Sequence, residues 1–72
     1  MVRSFILDLR RSEYLDSHGA RSLLSLREEV SHHGGRVRLV VAEGSRVERT
    51  LRLLDFGALF PMFRAAAEAW RA

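Results

Sequence analysis

The chain contains no cysteine, no lysine and a single proline among its 72 residues. Without cysteine there is no disulfide and no thiolate metal site to staple the fold, a composition that fits an intracellular setting. All twelve basic residues are arginine, and they interleave with Glu13, Glu28, Glu29, Glu43, Glu48 and Glu68. A nucleic-acid surface needs clustered basic charge, so no nucleic-acid partner is expected despite the net charge of +3. No apolar run approaches the roughly 20 residues that span a bilayer, and the first residues lack the apolar core and cleavage site of a secretory signal. These absences point to a cytoplasmic protein with no membrane insertion. Internal repeats, low-complexity tracts and linkers are also lacking.

What is present is globular in character: 47% hydrophobic and 29% charged residues, read as one domain over residues 1–72. A domain this small buries only roughly 60% of its unfolded surface. Ordering it costs on the order of 100 kcal/mol, so help from oligomerisation is expected.

The run Ser4-Phe5-Ile6-Leu7-Asp8-Leu9 reads as a strand buried on both faces, as in a parallel sheet. The polar break Arg10-Arg11-Ser12-Glu13 follows, and Tyr14-Leu15 return the chain toward the core. From His18 to about Ser31 the spacing is helical, with Ala20, Leu23, Leu24, Leu26 and Val30 on one arc. Arg27 falls inside that arc and is expected to cover it with its stem while its head reaches solvent. Gly34-Gly35 closes the helix. Arg36–Ala42 is a second strand, so strand, helix and strand form a βαβ unit with parallel strands. Ser45 and Glu48 fit a capping box opening a second helix to about Leu54, with Val47, Thr50, Leu51 and Leu54 inward. Met62-Phe63, after Pro61, fits a very short edge strand. A terminal helix over 64–71 is expected to pack through Ala66, Ala69 and Trp70. The fold expected is α/β: a small, mostly parallel sheet packed by helices.

Little of this can carry catalysis. Asp16, Ser17 and His18 are triad residue types, but neighbours at a helix start diverge, whereas a triad converges from separate segments. Adjacent His32 and His33 suit the carbonyl end of a helix better than a metal site. Gly34-Gly35 follows a helix, whereas a phosphate-binding loop precedes one. Phe60-Pro61-Met62-Phe63 is read as core before interaction surface. No metal, no cofactor and no enzymatic activity are expected. Ser17 has two compatible readings. It is a competent N-cap hydroxyl, and a phosphoryl group placed there would sit by the positive end of the helix dipole.

The sequence resembles the STAS domain of bacterial anti-sigma-factor antagonists. Phe5-Ile6-Leu7-Asp8-Leu9 is similar to the family's "ILDL" strand, and Tyr14-Leu15-Asp16-Ser17-His18-Gly19 to its "(F/Y)-(I/L/M)-D-S-(S/T)-G". Gly34-Gly35-Arg36-Val37-Arg38-Leu39 is similar to "G-G-x-L-x-L", and the helix from Ser45 with Leu59-Phe60 to the family's ending. The resemblance implies that Ser17 is phosphorylated by a partner serine kinase, with Asp16, Ser17, His18, Gly19 and Arg21 forming the partner-binding corner. That partner would be an anti-sigma factor of the histidine-kinase-like ATPase class; the ATP belongs to it, and phosphorylation would release the antagonist. Three positions depart from the pattern: His18 replaces a small hydroxyl residue, Ala20 a leucine, and Asp55-Phe56 a Gly-Leu. The match opens on the family's central strand without the strands that usually precede it. Sheet physics alone also leaves the first strand with an unpaired apolar edge, expected to be covered either by further chain before Met1 or by another chain, as in a homo-oligomer that pairs those edges. The alternative the resemblance offers is a STAS accessory subunit of a lipid-transport ATPase complex, without a phospho-cycle.

Overall fold

Three parallel strands in the order β1-β2-β3 carry the fold. The computed structural model describes residues 4–72. The elements are β1 (Ser4–Asp8), α1 (Ser17–His32), β2 (Arg36–Val40), α2 (Arg46–Leu53), a 3-10 turn (Phe56–Ala58), β3 (Met62–Phe63) and α3 (Ala66–Arg71). This is the expected α/β architecture, including the two-residue strand after Pro61.

Register follows from the apolar pattern. β1 aligns with β2 from Ser4 opposite Arg36 to Asp8 opposite Val40, and β3 adds Met62 opposite Leu39 and Phe63 opposite Val40. Val37, Leu39 and Val41 alternate onto one sheet face, where they join Ala20, Leu23 and Val30 of α1, Val47 and Leu51 of α2, and Phe56 and Phe60. Phe60 is buried as expected, its ring 5.6 Å from that of Phe56 and tilted by 38°. On the opposite face the short α3 packs on all three strands, with Ala69 fully buried.

The helices end where their chemistry dictates. Gly34, at φ 75°, closes α1: its N–H donates to the Ser31 carbonyl (3.0 Å) and that of Gly35 to Val30 (2.9 Å), satisfying carbonyls the helix leaves free. α2 opens with Ser45 Oγ accepting from the Glu48 N–H (3.1 Å), as the capping pattern predicts. The Glu48 carboxylate, however, reaches one residue further back and accepts from the Gly44 N–H (2.8 Å). That hydrogen bond, with Arg52 nearby, holds the Glu48 carboxyl below its ordinary pKa against the opposing effect of burial.

Arg27 is half-buried, as a covered stem with a surface head requires, and its Nε also donates to the Leu59 carbonyl (3.0 Å) in an exposed contact that ties α1 to the turn before β3. Four expectations need correction. β1 is not buried on both faces; Ser4, Phe5 and Asp8 are exposed and Ile6 and Leu7 half-buried, because among the described residues β2 is its only neighbouring strand. Leu54 is 47% exposed: it caps α2, and Asp55 at φ 59° then turns the chain away. Leu24 is 40% exposed at the edge of the α1 arc. Trp70 is 78% exposed, because α3 approaches the sheet through Ala69 and leaves the indole outside.

Leu51 and Leu53 lie two residues apart on α2, the first fully buried and the second 86% exposed. Denaturant titration should therefore show Leu51→Ala losing about 2–5 kcal/mol of stability and Leu53→Ala within about 0.5 kcal/mol of wild type.

Candidate functional site

The corner between β1 and α1 is built by two aspartates. Asp8 ends β1: one carboxylate oxygen accepts from the Arg10 N–H (3.0 Å), while the Arg10 guanidinium spans both oxygens at 2.6–3.1 Å. That fork holds the Asp8 carboxyl down to about 2, so it is ionised at any physiological pH. Leu9 N–H still donates to the Val40 carbonyl (2.7 Å), anchoring the loop to the sheet as it leaves.

Asp16 then starts α1. Its backbone is extended (φ −93°, ψ 178°), and its Oδ1 accepts from the Gly19 N–H at 2.7 Å. Asp16 is therefore the N-cap and Ser17 the first helical residue, which corrects the reading of Ser17 as the cap. The reason is reach: the capping side chain must come from the residue just outside the helix, and a carboxylate there serves as well as a hydroxyl. The Ser17 hydroxyl consequently has no protein hydrogen-bond partner among the described residues, and Ser17 is exposed. First-turn N–H groups have no intrahelical acceptor, so the hydroxyl sits beside the positive helix end.

Gly19 leaves room for the Leu15 side chain. A Cβ there would lie 2.9 Å from Leu15 Cδ1 and 3.4 Å from Asp16 Oδ1, so its hydrogen lets Leu15 fold under the helix start.

Between α1 and α2 lies an open groove of about 410 Å³, lined on one side by Leu15, Asp16, Ser17, Ala20, Arg21 and Leu24. Thr50, Leu54 and Phe56 form the other side. Of the five residues expected at the partner-binding corner, Asp16, Ser17 and Arg21 share this groove; His18 and Gly19 do not line it. Leu24 and Leu54 are the members that sequence reasoning missed. Both looked like core by periodicity, yet both are half open.

His33 Nδ1 lies 3.0 Å from the Glu29 carbonyl, at the carbonyl end of α1. His33 thus takes the end-of-helix role its position suggested, while His32 lies in the last turn of α1.

The model of the STAS domain matches residues 2–69. The chain belongs to the STAS domain family. No curated protein and no solved structure shows a match to it. The family accounts for the α/β sheet with its covering helices, and no helix among the described residues is long and apolar enough to cross a membrane. Within this STAS domain the polar corner of Asp16 and Ser17 opens onto a largely apolar groove.

The cap assignment has a direct consequence. Asp16→Ala should cost about 1 kcal/mol in denaturant titrations, and Ser17→Ala should stay within about 0.5 kcal/mol of wild type.

Proposed function

We propose that this STAS domain is a non-enzymatic regulator of the anti-sigma-factor antagonist type, acting in the cytoplasm. It binds an anti-sigma factor that is a serine kinase of the histidine-kinase-like ATPase class, and phosphorylation of Ser17 releases it. The observation that carries this reading is the division of labour at the corner: Asp16 does the capping, which leaves the exposed Ser17 hydroxyl without a structural task. A phosphate there adds roughly two negative charges at the positive end of α1, so the fold tolerates it while the docking surface turns from neutral to negative. Asp16, Ser17 and Arg21 would meet the partner along the groove, with His18 beside them and Gly19 holding the helix start in place. The phosphoryl donor is bound by the kinase, and the domain itself needs no cofactor.

Incubation with the cognate kinase and ATP should add a single phosphate at Ser17 by mass spectrometry, with none on Ser17→Ala. Ser17→Asp should weaken kinase binding at least tenfold. Unchanged phosphorylation of Ser17→Ala would remove the switch. Copurification with a transporter ATPase, insensitive to Ser17→Asp, would favour the accessory-subunit role instead.

The open edge of β1 supports self-association as part of the same reading. Leu9 N–H points at β2, so by alternation the backbone groups of Ser4, Ile6 and Asp8 point outward. Antiparallel pairing with a second copy about Ile6 would set Phe5 against Leu7 on one face and Ser4 against Asp8 on the other. The strand is self-complementary in that register. Sedimentation over a concentration series should show association that Ile6→Pro abolishes, since that change removes an outward N–H without touching the β1–β2 ladder. A stable monomer at all concentrations would overturn this part.

A further inference from the structure

Arg21 is the one basic side chain lining the α1–α2 groove, and Asp16 the one acidic side chain. The other ion pairs of the described residues engage Arg10, Arg52 and Arg64, and none engages Arg21. Its helical neighbours offer no carboxylate either: Ser17 and His18 lie a turn before it, Leu24 and Ser25 a turn after. From α2 and the 3-10 turn the groove receives Thr50, Leu54 and Phe56, all uncharged. An exposed arginine thus lines an apolar groove whose one carboxylate, Asp16, accepts from the Gly19 N–H, and no ion pair among the described residues engages that arginine.

Ser17 is four residues before Arg21 on the same helix and lines the same groove. Side chains at that spacing are neighbours, and an anion placed N-terminal to a cation is the favourable order along the helix dipole. We infer that Arg21 is the cation that holds a phosphate on Ser17, pairing with it across one helical turn and thereby being withdrawn from any partner docked in the groove. This rests on the reading of Ser17 as the modified residue and adds the element that senses the modification. Before phosphorylation the groove is balanced, with Arg21 positive and Asp16 negative, and Arg21 is free for a carboxylate of the docked protein. Afterwards Arg21 is taken by the phosphate, and the groove becomes net negative by about two charges. Release then has two causes, loss of an attractive cation and gain of a repulsive anion. A guanidinium suits this position because its planar fork can meet two phosphate oxygens at once.

The test installs phosphoserine at position 17 of the full chain during translation, so that no kinase is involved. The second ionisation of the phosphate, near 6 for an isolated phosphoserine, is followed by phosphorus NMR against pH. With Arg21 present the midpoint should lie about half a unit lower than in Arg21→Gln, with Arg21→Lys in between. Arg21 is exposed, so all three proteins should fold, which circular dichroism confirms. Coincident midpoints for Arg21 and Arg21→Gln would overturn the pairing. Failure of the kinase to modify Ser17 would instead strike the switch itself and leave this titration unchanged.

Discussion

The parallel pairing of β1 with β2 is the contact on which the site depends. Ser4 to Asp8 align residue for residue with Arg36 to Val40, and parallel neighbours require the chain to cross from the end of one strand to the start of the next. α1 is that crossing. Its N-terminus must therefore lie at the carboxyl ends of the strands, where the loop Leu9–Leu15 delivers it. The Asp8–Arg10 fork and the Leu9–Val40 hydrogen bond fix the first residues of that loop, and Leu15, tucked beneath Gly19, fixes the last. The exposed hydroxyl of Ser17 sits on a helix end whose position is constrained from both sides.

The same corner shows how a small change of role separates structure from signalling. Were Ser17 the cap, its hydroxyl would be bound to the backbone, and a phosphoryl group could be added only by breaking a stabilising contact. With Asp16 as the cap that conflict disappears. A carboxylate holds the helix start permanently, and the adjacent hydroxyl is spare. Placing two polar residues in succession where a helix needs one leaves Ser17 outside the capping bond, so the proposed modification would not disturb the helix start.

Most of the architecture was legible because it rests on local periodicity. The alternation of Val37, Leu39 and Val41, the helical spacing through Leu23 and Val30, the glycine pair after α1 and the Ser45 cap each have one strong physical reading. β3 was legible only through Pro61, which suits the first position of a strand better than a helix. The misread residues depend on what lies across from them. Trp70 and Ala69 share a helix, but only the alanine fits against the sheet. Leu54 continues the apolar line of Val47 and Leu51, yet the left-handed turn at Asp55 removes the next element that would have covered it. Arg27 finds the Leu59 carbonyl, a partner over thirty positions away that no local pattern could foresee. At the site, residue types placed Ser17 at the helix start correctly, but the choice between two adjacent caps is set by backbone angles.

The groove follows from those same misread positions. α2 runs for eight residues, and the first turns of α1 face Thr50 together with Leu54 and Phe56 just beyond its end. Leu24 and Leu54 are left half exposed on opposite walls, with Phe56 between them in the core and Arg21 and Ser17 on the rim. Covering both leucines would stabilise the isolated domain by removing apolar surface from water. It would also cover the face on which the free hydroxyl and the unpaired arginine lie. The half-exposed leucines thus leave an accessible apolar surface beside Ser17 and Arg21, the combination that the proposed docking role would use.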